Sequence, residues 1–150
     1  MGRRRASGDA PSTPRWVARA LDNRPTLFVA RVCLTLPFWA GGLAKLFDWD
    51  AGVSEMANLG LHPAWAFNLA TLVTELGGGA LVLFNRMVWL GAGALGVFTV
   101  LATLLGHRFW ESIGPDRTME LNRFLEHATI GAAFILITVI AARDERRTGT

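Results

Sequence analysis

Four apolar runs alternate with polar segments along the chain: residues 27–47, 63–84, 88–106 and 121–142. Each holds about 20 predominantly apolar residues, which at ~1.5 Å rise per residue span the ~30 Å hydrocarbon core of a bilayer. The pattern predicts an all-α integral membrane protein, an antiparallel bundle of four transmembrane helices. The segment 48–62 is too short and polar to cross. Its Val53, Met56, Ala57 and Leu61 line one face of a surface helix, flanked by Trp49 and Trp65 at headgroup level. The other connections are a tight turn at Asn85-Arg86 and a polar loop at 107–120 carrying Phe109-Trp110.

The polar positions inside the runs are the informative ones. Glu75 lies near the middle of the second run. A carboxylate at that depth costs several kcal/mol if charged and unpaired, so it is expected to face the bundle interior and find a partner there. Asn68, Thr71 and Glu75 recur at helical spacing and are continued by Gly78 and Gly79, which puts them on one face. In the first run Arg31, Thr35, Phe38, Gly42 and Lys45 make a similar stripe, interrupted by the kink-forming Pro37. Arg31 and Lys45 lie at opposite ends of it. Arg31 is expected to snorkel to water, whereas Lys45 belongs to the Gly42 face. The third run carries Gly96, Thr99, Thr103 and His107, and the fourth opens with Asn122, Arg123, Glu126 and His127.

Charge sets the orientation. Of 15 Lys and Arg residues, eleven fall at the termini, at Arg31 or in the Asn85-Arg86 turn. The opposite side has only Lys45, Arg108, Arg117 and Arg123, set among six acidic residues. By the positive-inside rule both termini are cytoplasmic. The organisation is then a basic arm at 1–25, disordered at first with a short interfacial helix from Trp16 to Leu21, a membrane domain at 26–142 and a basic tail at 143–150. The high pI of 10.4 is thereby a matter of membrane topology and anionic headgroups; no nucleic-acid partner is expected.

Several chemistries drop out. One cysteine, Cys33, allows neither an intramolecular disulfide nor a CxxC pair, and reads as a small buried hydrophobe. Gly91, Gly93 and Gly96 spell GxGxxG, but a dinucleotide loop needs a preceding strand. Here the motif lies inside an apolar run, where small residues let helices approach. A zinc site from His107, Glu126 and His127 is disfavoured, since adjacent helical residues point about 100° apart. With both termini inside, Lys45, His107, Asn122, Glu126 and His127 all come to the outer ends of their helices. They are expected to wall an outward-opening polar pocket floored by Glu75. The competing reading is a structural salt-bridge network.

The motifs in order resemble those of the DoxX family of small four-helix bacterial membrane proteins: Phe38, Gly41 to Lys45 (GGLAK), Phe47-Asp48, Leu59-Gly60-Leu61, Thr74 to Gly79 (TELGGG), His107 with Phe109-Trp110, and Asn122 with Phe124-Leu125. The likeness runs over about 27–142. Glu126-His127 stands where relatives often have Lys-Asn, a reversal of charge. The resemblance implies the four-helix fold and an association with membrane redox or thiol-stress systems, the founding members being linked to a thiosulfate:quinone oxidoreductase. On that footing the expected function is a redox-associated membrane subunit with no covalent cofactor, its outward-opening pocket taking a quinone or a small substrate. Glu75 would relay protons, and Lys45, Asn68, Thr71, His107, Asn122, Glu126 and His127 would form the pocket. Electrons would come from a partner, a soluble oxidoreductase or thiol enzyme, or from a diffusible substrate. The alternative is a non-enzymatic scaffold or small-solute carrier.

Overall fold

The structure, a computed structural model, describes residues 13–21 and 23–148, and within them every regular element is a helix. A short helix α1 (Arg15–Leu21) leads to α2 (Arg24–Phe47), α3 (Trp49–Asn58), α4 (Ala64–Leu83), α5 (Val88–Gly106) and α6 (Pro115–Thr148). Of these, α2, α4, α5 and α6 are long and apolar enough to cross a membrane. The expected disordered start falls outside the described residues, while the stretch expected to be a short helix is one, α1, with Trp16 and Leu21 exposed beside Arg15 and Arg19.

Local chemistry explains where the helices begin. Asn23 caps α2, its side chain accepting the Thr26 N–H at 2.8 Å, with Pro25 in the first turn where a missing N–H costs nothing. Asp48 ends α2 and starts α3, its carboxylate accepting the Ala51 N–H at 3.1 Å. The first span, α2, runs on through Pro37. The fourth span departs from expectation at both ends. It begins at Pro115, so that residues 115–120 are helical rather than loop, and it continues through most of the basic tail. Gly114 at φ +64° makes the bend, Pro115 supplies a preset φ, and Asp116 sits favourably in the positive first turn.

The spans form a bundle in which α4 packs against both α2 and α5, α5 packs against α6, and α2 meets α6 through Phe38 and Phe134. The core is a seam of Phe38, Val82, Val88, Ala92, Leu95, Phe134 and Ile137, with Phe38 touching the rings of Phe98 and Phe134 at centroid distances of 6.3 and 5.5 Å. Close approach is built from glycine. A Cβ on Gly91 would lie 2.7 Å from the Gly78 carbonyl oxygen, and one on Gly42 would lie 2.6 Å from Leu76. The outer faces are apolar, as lipid requires: Leu36, Leu43, Val73, Val97, Ile135 and Leu136 are all exposed. Cys33 lies on such an exposed face and is not buried in the core as expected. The threonine hydroxyls inside the spans donate to carbonyls one turn back, Thr35 to Arg31, Thr99 to Leu95 and Thr138 to Phe134.

Arg31 corrects a second expectation. It does not snorkel: it is 8% exposed and its guanidinium donates to Asn85 Oδ1 at 2.7 Å. Asn85 occupies the α4–α5 turn at φ +56°, a left-handed conformation that asparagine tolerates better than most residues. The stripe on α2 faces the bundle interior, so Arg31 is carried inward with Thr35, Phe38 and Gly42 and closes the inner end of the bundle.

Candidate functional site

The polar groups expected at the outer end separate into two clusters on the two sides of α5. The first gathers on Lys45. At the end of α2 its ammonium lies 3.5 Å from Glu55 of α3 and 3.9 Å from Glu75 of α4. The side chains of Lys45 and Glu75 are 13% and 7% exposed, that of Glu55 55%, so one cation links a water-facing carboxylate to a buried one. The GGLAK segment makes this possible in two ways. Gly41 and Gly42 let α2 approach α4 until an added Cβ at Gly41 would meet Glu75 Oε1 at 3.0 Å, and one further turn carries Lys45 over the carboxylate. Glu75 Oε2 is buried and has no hydrogen bond, leaving the lysine as its counter-charge.

Beside Lys45 lies a cavity of about 680 Å³ between α3, α4 and α5, lined by Lys45, Glu55, Met56, Thr71, Phe98 and His107 among others. Thr71 reaches it, with its hydroxyl 4.0 Å from Met56 Sδ. Glu75 does not line it: the carboxylate sits behind Lys45, so the expected floor is a second layer. Asn68 is absent from the lining too. It is fully buried against Gly52 of α3, and neither Oδ1 nor Nδ2 has a hydrogen-bond partner. The surface helix α3 therefore covers the site, with Gly52 and Met56 as its buried residues.

The second cluster joins α5 to α6. His107, capping the C-terminus of α5, donates Nδ1–H to Glu120 Oε2 at 2.8 Å. Its ring lies 5.0 Å from that of His127, whose Nδ1 is 2.7 Å from Thr103 Oγ1. Asn122 and Glu126, expected in the pocket, are exposed on α6 and make no hydrogen bond or ion pair with either cluster. The reason is the packing of α6 against α5, which turns His127 and Phe134 inward and leaves positions 122 and 126 on the outer surface. Among the described residues no group of three or more His, Cys, Asp or Glu converges as for a metal ion.

Two participants were not singled out from sequence. Glu55 had a signal, being next to Met56 on an amphipathic segment. Glu120 had one only if Pro115 is taken as a helix start, which places it two turns before His127 on the same face.

Comparison with known proteins agrees with this architecture. The DoxX family model matches residues 26–108, through α2 to α5 and ending just after His107. The Escherichia coli (strain K12) inner membrane protein YphA is 27% identical over 121 residues, which cover 77% of this chain and 84% of that protein. No solved structure matches. The four spans and this relative place the chain in the cytoplasmic (inner) membrane as a multi-pass protein. The Lys45, Glu75 and His107 positions all fall inside the matched segment, whereas Glu120 and His127 lie beyond it. By that match over more than half of its length, the chain belongs to the DoxX family.

Proposed function

We propose that this DoxX-family protein is a redox-associated membrane subunit whose cavity at the outer end of α2, α4 and α5 takes a quinone head or a small polar substrate. The observation that carries the reading is the placement of Lys45. Its ammonium lines the cavity and is held from behind by the buried Glu75 and from the rim by Glu55. A ligand carbonyl or anionic oxygen entering beside Thr71 and His107 meets a donor already oriented for it. Reduction of a quinone carbonyl consumes protons; in this reading Lys45 gives one to the carbonyl oxygen and takes its replacement from Glu75, one ammonium behind the cavity. The volume, about 680 Å³, is of the order of a small-molecule site. The electrons come from a partner or from the substrate itself.

The test replaces Glu75 with Gln in the purified full-length protein and measures binding and turnover of a short-chain quinone. The expected result is retained binding with turnover reduced at least ~100-fold, the usual scale for losing a positioned acid or base. Unchanged turnover removes Glu75 from the chemistry.

A second reading, a non-enzymatic scaffold, is favoured by one observation: the same ammonium ties together α2, α3 and α4. It predicts that Glu75→Gln and Lys45→Met lower the unfolding midpoint with no quinone binding in any variant.

A further inference from the structure

The helix beside the Lys45 cavity is held down by very little. Helix α3 supplies one wall of that cavity through Ala51, Ser54, Glu55, Met56, Asn58 and Leu59, and faces α5 across it. It rests on α4 and on the end of α2. Only two of its residues are buried, Gly52 and Met56, and glycine brings no side chain. Met56 is therefore its one fully buried apolar anchor, with Sδ 4.0 Å from the Thr71 hydroxyl. The tie to α2 is the Lys45–Glu55 pair at 3.5 Å, and its carboxylate is more than half exposed. A pair so open to water contributes little.

Beneath α3 the packing works against closure. Asn68 is fully buried, and neither Oδ1 nor Nδ2 has a hydrogen-bond partner. A Cβ at position 52 would collide with that amide, so only glycine lets α3 settle on it. Asn68 stands one turn into α4, ~6 Å from its outer end. Lifting α3 thus brings the amide within reach of water from the outer surface. The closed arrangement carries the cost of an unpaired buried amide, and the open one does not. The segment is also bounded by two bends. Asp48 alone separates α2 from α3, ending one and capping the other. At the far end Gly60 takes φ +76°, in the left-handed region that glycine enters freely. Helix α3 is free to turn as a unit while α2 and α4 stay packed.

We propose that α3 is a lid on the Lys45 cavity, kept near balance by the buried Asn68 amide, and that its lifting admits ligand from the outer surface. This rests on the reading of that cavity as a ligand site and supplies its regulation. Opening separates Glu55 from Lys45, leaves the ammonium with Glu75 alone and hydrates Asn68. Closing restores the cavity wall around whatever has entered.

The experiment is hydrogen–deuterium exchange on the full-length protein in lipid nanodiscs, read by mass spectrometry over α3 with α5 as the internal reference. A ten-residue helix lifted off its support does not keep its hydrogen bonds in water, so exchange in α3 counts openings. Asn68→Leu removes the unpaired amide at similar volume and should slow exchange in α3 about tenfold. Gly52→Ala drives a methyl into the amide and should speed it about tenfold. In an Asn68→Ala background, where that space is vacated, the same change should have no such effect. Access is read separately from Thr71→Cys in a Cys33→Ser background. Its labelling by a membrane-impermeant maleimide should fall with Asn68→Leu and rise with Gly52→Ala.

Equal exchange in α3 of wild type and Asn68→Leu overturns the lid. So does altered exchange with unaltered labelling, since α3 would then move without opening the cavity. Faster exchange throughout α5 in Gly52→Ala would report general unfolding, and the Asn68→Leu result alone then decides. None of these readouts uses a quinone. A working lid with quinone turnover unchanged in Glu75→Gln sinks the proposed chemistry alone, and a silent lid with that turnover lost sinks the lid alone.

Discussion

Asn68 and Arg31 show how differently single polar residues are treated inside this bundle. Asn68 is fully buried with both amide atoms unpaired, and an unsatisfied buried polar group costs about 1–3 kcal/mol. Asn68→Leu, of similar volume, should therefore raise stability by about 1–2 kcal/mol, read as a later midpoint in denaturant unfolding from detergent. If the same variant loses ligand binding, the amide is kept for function at the expense of stability. Arg31 is instead held by Asn85 at 2.7 Å. Asn85→Gly keeps the left-handed turn and removes only that bond, at a cost of about 1.5–3 kcal/mol. Asn85→Ala should cost roughly 1 kcal/mol more, because it adds backbone strain at φ +56°. Equal midpoints for the two variants would show that the turn conformation carries no cost.

At the scale of the helix, the glycines of α5 divide by face. Gly91 meets the Gly78 carbonyl of α4, so Gly91→Ala forces the two helices apart and should destabilise by about 1–3 kcal/mol. Gly93→Ala and Gly96→Ala enter open space and should be neutral or slightly stabilising, up to ~1 kcal/mol from helix propensity. Parallel unfolding curves of the three variants check this, and equal losses would mean that the α4–α5 crossing is not the one described. The motif GAGALG reads as one small-residue stripe in sequence. Its two faces do different things, one closing a helix crossing and the other leaving a groove.

For the whole molecule, the even number of spans puts both ends on one side, and the arginine distribution makes that side cytoplasmic. In a Cys33→Ser background, Ile113→Cys in the α5–α6 loop should react with a membrane-impermeant maleimide on intact cells. Arg86→Cys in the α4–α5 turn should react only after permeabilisation. The reverse pattern would turn the Lys45 cavity toward the cytoplasm and reassign its source of substrate. The covering of that cavity by α3 is likewise a whole-molecule feature, since Glu55 reaches Lys45 only when α3 lies folded back over α4.

Sequence alone determined the spans, their orientation, the family likeness and the need of Glu75 for a partner. These depend on local quantities, apolar run length, charge counts and the price of a carboxylate in lipid, which need no knowledge of neighbours. It also placed Lys45 on the face that meets Glu75, because helical spacing and adjacent glycines are both local. Tertiary structure alone decided that Arg31 turns inward, that Cys33 faces outward, that Asn122 and Glu126 stay outside, and that Glu55 and Glu120 join in. Each of those depends on which side of a helix its neighbour occupies. In a bilayer both the lipid-facing and the buried sides of a helix are apolar, so the usual polar-out signal that would reveal that side is erased.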